Sequence, residues 1–404
     1  MLAWLLGTQS TDAATDMAVK AKEQNIAVFG ESGSGKTVLL SSFFGGTQEP
    51  SFVRDSPYKV IADDTGQGTR LRQNYLKMKN TAQAPRHTEF EAASYSFTVK
   101  PNDGEDTKAS KAHPFSALRL VWHDYPGEWF TEDPTSELLA ARRVETFVKL
   151  LKSDVALVLV DGQKLLDYAG EEEKYLKSML WGLRGGLEKL KDDILSDGKP
   201  LTVFPRIWVI ALSKADLHPG LDVHGFQDLV VEKAAGDVTA LHETLKSFVQ
   251  VPEAMSIGED FLLLSSAKFE PSKIEVTQRV GLDLILPVAS MLPLERVAQW
   301  ANRLDIPLRV LAGLVDNADE VAAILTASAK FITKVLGKIP KIGPVLSRIA
   351  VPALVAAVRL SKSKLEEIHA QALADKDYLT ATLTQFRIDL ERGVKDNLLV
   401  KSPW

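Results

Sequence analysis

The chain has 404 residues, 45% hydrophobic and 25% charged. That is a soluble globular composition with enough apolar mass for about two or three domains. The 48 basic and 53 acidic residues leave a net charge of -5, which gives no overall nucleic-acid footprint, so no nucleic-acid partner is expected. There are no cysteines, which excludes disulfides, thiolate metal sites and a cysteine nucleophile.

In chain order, residues 1–24 form a polar lead-in. Its apolar start, Met1-Leu-Ala-Trp-Leu-Leu-Gly7, lacks the length and basic flank of a signal segment. No run of ~18 apolar residues is long enough to span a membrane, so a cytoplasmic protein, soluble or peripheral at a membrane, is expected. Residues 25–29 read as a short buried strand and 38–44 as an apolar helix ending at Gly45-Gly46. A long connection, 47–92, has room for an extra strand at 58–62 and an extra helix at 67–79. Strands follow at 93–100 and 117–122, antiparallel if the polar stretch 102–113 is a hairpin loop. The chain then alternates: helix 137–152, strand 155–160, helix 171–195 with Gly185-Gly186 as a place where it could break, strand 206–212, helix 226–249 and strand 261–264. This alternation predicts an α/β fold, a doubly wound and mainly parallel sheet with helices on both faces. After about residue 305 no strand is expected, and 308–399 reads as helices broken at Pro340, Pro344 and Pro352. The expected organisation is a lead-in (1–24), an α/β domain (25–300) and a C-terminal helical domain (301–404).

Between the first strand and the first helix lies Gly30-Glu-Ser-Gly-Ser-Gly-Lys-Thr37, a phosphate loop at every fixed position. Gly30, Gly33 and Gly35 let the backbone wrap a polyphosphate with N–H groups inward, and the helix start adds its positive dipole end. Lys36 can reach the β and γ phosphates and the Thr37 hydroxyl can ligate Mg²⁺. Ser32, Ser34 and Val38 complete the candidate nucleotide contacts of this stretch. After the 117–122 strand comes Asp124-Tyr-Pro-Gly-Glu-Trp129, an Asp-x-x-Gly at a strand's carboxyl end, where α/β ligand sites form. Asp124 can hold Mg²⁺ through water, and the Gly127 N–H can meet a γ-phosphate. The bland alternative is an ordinary strand-to-helix turn. After the 206–212 strand comes Ser213-Lys-Ala-Asp216. A carboxylate there accepts both donors of guanine, N1–H and N2–H, a pair adenine lacks, while the Lys214 stem lies over the base plane. After the last strand comes Ser265-Ser-Ala-Lys268, where the Ala267 N–H would bond guanine O6, flanked by Ser266 and Lys268. Either tetrad alone is weak. Both in order, at strand ends, after a phosphate loop and an Asp-x-x-Gly, make a strong set.

With these motifs residues 25–270 resemble a P-loop GTPase of the Ras-like, translation-factor-related superfamily. The stretch Asp124–Trp129 is similar to that of YcjX-like bacterial GTPases. The resemblance implies a GTP–GDP cycle with Mg²⁺ and a nucleotide-controlled switch. Lys36, Thr88, Gly127 and Glu128 are then the candidate catalytic residues, and Thr37, Thr88 and Asp124 the candidate metal ligands. Two departures stand out. Ser213 replaces the usual Asn or Thr; it can still tie the base loop to the phosphate loop. Glu128 stands where Ras-like proteins carry the water-orienting Gln, and its carboxylate would repel the γ-phosphate. Hydrolysis is therefore expected to be slow unless a protein activator or a second copy completes the site. Ser32 also replaces a frequent Gly. Thr88 is taken as the switch threonine, with Thr65 and Thr69 as alternatives.

Other candidates carry less. The seven histidines form no metal-spaced cluster; His123 reads as a packed strand-end residue and Asp161 as a cap for the following turn. Between Glu320 and Glu366 the chain has no acidic residue but carries Lys330, Lys334, Lys338, Lys341, Arg348, Arg359, Lys362 and Lys364. The segment 321–365 is read either as a helical bundle with a solvated basic face, which its prolines favour, or as a surface for anionic lipid or an acidic partner. An ATPase or a non-hydrolysing nucleotide-binding scaffold are the remaining alternatives.

Overall fold

The structure is a computed structural model that describes residues 22–85, 93–102, 118–125, 127–130, 136–195, 198–270, 272–293, 295–296, 361–374 and 378–402. The strands are β1 (Lys22–Phe29), β2 (Tyr58–Ala62), β3 (Ala93–Pro101), β4 (Leu118–Asp124), β5 (Val155–Asp161), β6 (Ile207–Ser213), β7 (Ser256–Leu263), β8 (Lys268–Glu270), β9 (Lys273–Glu275) and β10 (Leu399–Val400). The helices are α1 (Lys36–Thr47), α2 (Pro50–Asp55), α3 (Thr65–Thr81), α4 (Glu137–Leu150), α5 (Gly162–Asp167), α6 (Glu172–Lys189), α7 (Lys191–Ile194), α8 (Val223–Lys246), α9 (Ile285–Ser290), α10 (Lys362–Ala374) and α11 (Tyr378–Lys395).

One eight-stranded sheet runs in the order β10-β7-β6-β5-β1-β4-β3-β2, and β8–β9 is a separate hairpin. The pairings from β4 through β1, β5 and β6 to β7 are parallel, whereas β2–β3, β3–β4 and β7–β10 are antiparallel. The mainly parallel α/β fold is therefore as expected. Its cause is visible in β5 and β6, six-residue apolar runs that end on Asp161 and Ser213 and are buried at every position, as strands covered on both faces must be. On one face α4, α6 and α8 bury Phe147, Leu183 and Phe226 against Phe29 and Trp208; those two rings stack at 5.1 Å. On the other face α1, α9 and α11 bury Phe43, Ile285 and Phe386 against Trp122 and Phe97. Each such fully buried side chain stabilises by about 1.5–3 kcal/mol.

Helix starts follow local chemistry. Asp64 caps α3 by accepting from the Gln67 N–H at 2.8 Å, and Asp222 caps α8 through the Gly225 N–H at 2.8 Å.

Several expectations need correction. The helix over 171–195 does not break at Gly185-Gly186. Helix α6 runs through both and ends at Lys189, because the buried Leu183, Gly186 and Leu187 pack it into the core, which outweighs glycine's poor propensity. The last core strand starts at Ser256, not 261. Its first half hides behind Gly258, at φ +75, and behind Asp260, a fully buried carboxylate. A strand does occur after residue 305: β10 pairs antiparallel with β7 through Leu399–Leu262 and Val400–Phe261. Helix α11 precedes it and lies on the sheet, with Phe386 edge-on to Tyr58 of β2 at 5.1 Å. The described end of the C-terminal helical segment thus packs on the same core as the phosphate loop. Residues 297–360, where most of the basic stretch falls, lie outside the described residues. Its last lysines, Lys362 and Lys364, pair with Glu366 and Glu367.

Candidate functional site

The carboxyl ends of β1, β4, β5, β6 and β7 bring the sequence motifs to one edge of the sheet, as open α/β sheets do with their ligand sites. After β1, Gly33 (φ +79) and Gly35 (φ +90) adopt left-handed backbone, and a Cβ at either would meet nothing within 4 Å. The loop is therefore an open cradle. Its first glycine is needed for space instead: a Cβ on Gly30 would lie 2.6 Å from Ser34 Oγ. Helix α1 opens directly from the cradle, with the Leu39 N–H donating to Gly35 O at 2.8 Å.

Lys36 is buried. Its Nζ donates to Gly30 O at 2.7 Å and Glu31 O at 3.1 Å and stands 5.2 Å from the centre of the Tyr125 ring. The Tyr125 hydroxyl accepts from the Gly30 N–H at 2.9 Å, which braces the phosphate loop from β4. Burial pushes the Tyr125 pKa well up, so the ring remains a neutral phenol. Sequence reasoning missed this brace; the only signal was an aromatic residue directly after a strand-end Asp.

Thr37 Oγ1 donates to Asp124 Oδ2 at 3.2 Å. Asp124 is buried, and its Oδ1 has no hydrogen-bond partner among the described residues. Burial raises the Asp124 pKa, against the opposing charge of Lys36 and the Thr37 hydrogen bond. A buried carboxylate with one oxygen open, beside a threonine hydroxyl, suits a hard divalent cation such as Mg²⁺. Among the described residues no group of three or more His, Cys, Asp or Glu could hold a metal, so phosphate oxygens and water would supply its other ligands.

Gly127 opens a 3-10 turn, Gly127–Phe130. A Cβ there would sit 2.1 Å from the Ser32 N and 2.3 Å from the Glu31 C. Only glycine allows this turn to lie on the phosphate loop. The Glu128 backbone is in the same turn; Thr88 lies outside the described residues. The alternatives Thr65 and Thr69 are in the first turns of α3.

After β6, Lys214 takes left-handed backbone at φ 53 and opens the short turn that carries Asp216. Asp216 Oδ1 accepts from Ser265 Oγ at 2.6 Å, and the Ala215 N–H donates to Leu264 O at 3.1 Å; these bonds join the two tetrads. Ser213 Oγ donates to Val160 O at 3.1 Å. It therefore ties the Ser213–Asp216 loop to β5, not to the phosphate loop, because the parallel register sets Ser213 beside Asp161. Ser266 and Ala267 are buried, whereas Lys268 is exposed and pairs with Glu270 at 3.1 Å. A cavity of about 310 Å³ is lined by Gly33, Ser34, Gly35 and Val38 from the phosphate loop and α1, and by Lys214, Asp216, Ser265 and Ser266 from the two tetrads. Gln163 and Phe269, which sequence reasoning did not single out, also line it. A second cavity of about 380 Å³ lies beside Glu31 and α6 and takes in none of the tetrad residues.

His123 is buried, with Nδ1 2.9 Å from Ser94 Oγ and Nε2 3.2 Å from Asn25 Oδ1. Burial, aided by Lys149, pulls its pKa down to about 4, so it is a neutral packing residue. No described helix is long and apolar enough to cross a membrane.

Comparison with curated proteins finds no match. Among solved structures, the signal recognition particle receptor SRb-GTP/SRX complex from Chaetomium thermophilum is similar at a TM-score of 0.32 and 19% identity, over 61% of this chain and 91% of that one. A chain of an oligomerised bacterial dynamin pair is similar at a TM-score of 0.24 and 15% identity, over 94% of this chain and 65% of that one. Likenesses this faint carry nothing about function. The family comparison is firmer, since residues 24–249 match the family described as Double-GTPase 2. That span covers more than half the chain and holds the phosphate loop, Asp124, Gly127 and the Lys214–Asp216 turn; the chain belongs to the Double-GTPase 2 family and is a guanine-nucleotide-binding P-loop GTPase.

Proposed function

We propose that this GTPase is a molecular switch that binds GTP with Mg²⁺ and hydrolyses it slowly until a partner completes the site. The observation that carries this is the meeting, at one sheet edge, of an open phosphate cradle, a buried Lys36, an Asp124 with an open oxygen and a cavity ending at Asp216.

The roles follow from the chemistry of each group. The cradle N–H groups and Lys36 hold the phosphates, Lys36 exchanging its two carbonyl acceptors for phosphate oxygens and stabilising charge as it develops there. Thr37 and Asp124 would hold Mg²⁺, and Thr88 would be the switch threonine that answers to GTP. Bound Mg²⁺ supplies charge neutralisation on the phosphate oxygens. Asp216 accepts the two guanine donors, the Lys214 stem covers the base face, and the loop Ser266-Ala267-Lys268 meets O6. Gly127 offers its N–H to the γ-phosphate, and its contact with the loop backbone at Ser32 lets the γ-phosphate move the turn. Water attacks the γ-phosphorus in line, and the bond to the β–γ bridging oxygen breaks. Glu128, in place of a neutral water-orienting side chain, and Ser32 keep this step slow. An activating protein or a second copy of the chain would speed it. The similarity of Asp124–Trp129 to YcjX-like members of the translation-factor-related superfamily belongs to this same reading.

Phosphate release from GTP under single-turnover conditions, with and without Mg²⁺, tests the proposal. Slow release that stops when Mg²⁺ is chelated, and that Glu128→Gln accelerates, supports a partner-dependent switch. No release at any Mg²⁺ concentration leaves a non-hydrolysing scaffold. Equal turnover of ATP rejects the guanine switch.

A further inference from the structure

An acid outside the recognised motifs holds the lysine of the base site. Asp161 ends β5 and is 3% exposed. Its carboxylate takes Lys214 Nζ on both oxygens, at 2.8 Å to Oδ1 and 2.9 Å to Oδ2. The acid itself is fixed from several sides. Its backbone N–H donates to the buried Tyr175 hydroxyl at 2.8 Å, and Oδ1 accepts from the Gln163 N–H at 2.9 Å. It stands opposite Ser213 in the β5–β6 register, so it reaches across to the residue that follows.

The turn after it is pressed against the same loop. A Cβ on Gly162 would lie 2.5 Å from Ser213 O and 2.9 Å from Lys214 O. Gly162 O accepts from His218 Nε2 at 2.8 Å, just beyond the Asp216 turn. Gln163 then lines the cavity shared with Lys214 and Asp216. Lys214 needs an external hold, because its left-handed backbone at φ 53 is costly for a residue with a Cβ. A free lysine stem samples many rotamers. One tethered at its tip has given up that freedom before a ligand arrives, so its flank is a preorganised surface.

We propose that Asp161 is a positioning residue of the nucleotide site: by tethering Lys214 it fixes the lysine stem as one wall of the slot for the guanine base. This rests on the reading of Lys214 and Asp216 as the base-recognising residues.

The test uses the full chain and three variants. Asp161→Asn keeps the acceptor for Gln163 but loses the ion pair. Lys214→Met keeps an apolar stem without the ammonium. The third combines both. Binding of GDP, ADP and inorganic pyrophosphate is measured by calorimetry, with pyrophosphate probing the phosphate half alone. Asp161→Asn and Lys214→Met are each expected to weaken GDP about tenfold, with no further loss in the double variant, as for a coupled pair. Pyrophosphate affinity is expected to stay unchanged, and Asp161→Glu to recover part of the loss. Equal losses of GDP and pyrophosphate in Asp161→Asn, or additive losses in the double variant, overturn the proposal. If Asp161→Asn does not fold, Lys214→Met decides: full GDP affinity overturns the tether, and a loss confined to GDP upholds it. Wild type binding GDP no better than ADP would overturn the base-site reading itself; a wild-type preference for GDP that Asp161→Asn leaves intact overturns only the tether.

Discussion

Two clusters of buried charge, one at the sheet's outer edge and one at its carboxyl ends, are closed in different ways. At the edge, Asp260 takes both 2.8 Å contacts of Arg296 Nη2 and accepts from the Ser402 N–H at 3.0 Å. Beside it Lys401 bridges Glu295 at 3.1 Å and Glu391 at 2.9 Å, and Arg387 lies 3.7 Å from Glu295. Charge there is met by opposite charge from this chain. At the carboxyl ends, Lys36 donates to main-chain carbonyls and Asp124 accepts from a threonine hydroxyl, with one oxygen open. Burying charge is costly unless it is paired. The edge cluster pairs its charges within this chain, though Glu295 Oε1 and Arg296 Nε have no hydrogen-bond partner among the described residues, and it pins the chain end to β7. In the other cluster the opposing charge of Lys36 works against the burial of Asp124, and under the proposed function phosphate and cation add to that balance.

Breaking each cluster should give opposite phenotypes. The largest effect is expected at the edge. Arg296→Met leaves Asp260 buried beside an apolar side chain and should cost about 3–5 kcal/mol of stability. Denaturant unfolding measures this, and the folded fraction should bind GDP normally. Next is Lys36→Ala. It should weaken GTP roughly 100-fold or more, as removal of one partner of a buried charge contact does, while thermal unfolding of the nucleotide-free protein changes little. Gly127→Ala should follow. Its methyl cannot fit against the Ser32 backbone, so the turn must move off the phosphate loop. GTP hydrolysis should fall by about tenfold, the low end for one hydrogen bond to a charged group, with GDP affinity held. The smallest effect is expected from Ser213→Asn. Its longer side chain can leave Val160 O for the phosphate loop, and nucleotide dissociation should slow by about two- to threefold, the scale of one modest neutral hydrogen bond.

The same contrast explains what could be read from the sequence. Strands β5 and β6 were legible because strands buried on both faces need uninterrupted apolar residues. The phosphate loop, Asp124 and the two tetrads could be located because each follows a strand end in a fixed order, and the fold brings them to one sheet edge. Features that depend on partners distant in the chain were not. The first half of β7 reads as a loop because its Asp260 makes sense only with Arg296, 36 residues on. Strand β10 is two residues long and exists because β7 offers it an edge. Asp161 reads from the sequence as a turn cap, and it does cap Gln163, yet its ion pair reaches a lysine 53 positions away. Tyr125 braces Gly30 across 95 positions. Such residues look ordinary until the sheet aligns them.

The central claim is that the cavity between the phosphate loop and Asp216 reads guanine. Its most direct measurement is calorimetric titration of GDP and ADP, with Mg²⁺, into wild type and Asp216→Ala. The account predicts that wild type binds GDP at least about 100-fold tighter than ADP, because a site built to pair two donors penalises a ligand lacking them. Asp216→Ala should collapse that gap by weakening GDP alone. Equal affinities in wild type, or a preference for GDP that survives Asp216→Ala, would contradict it.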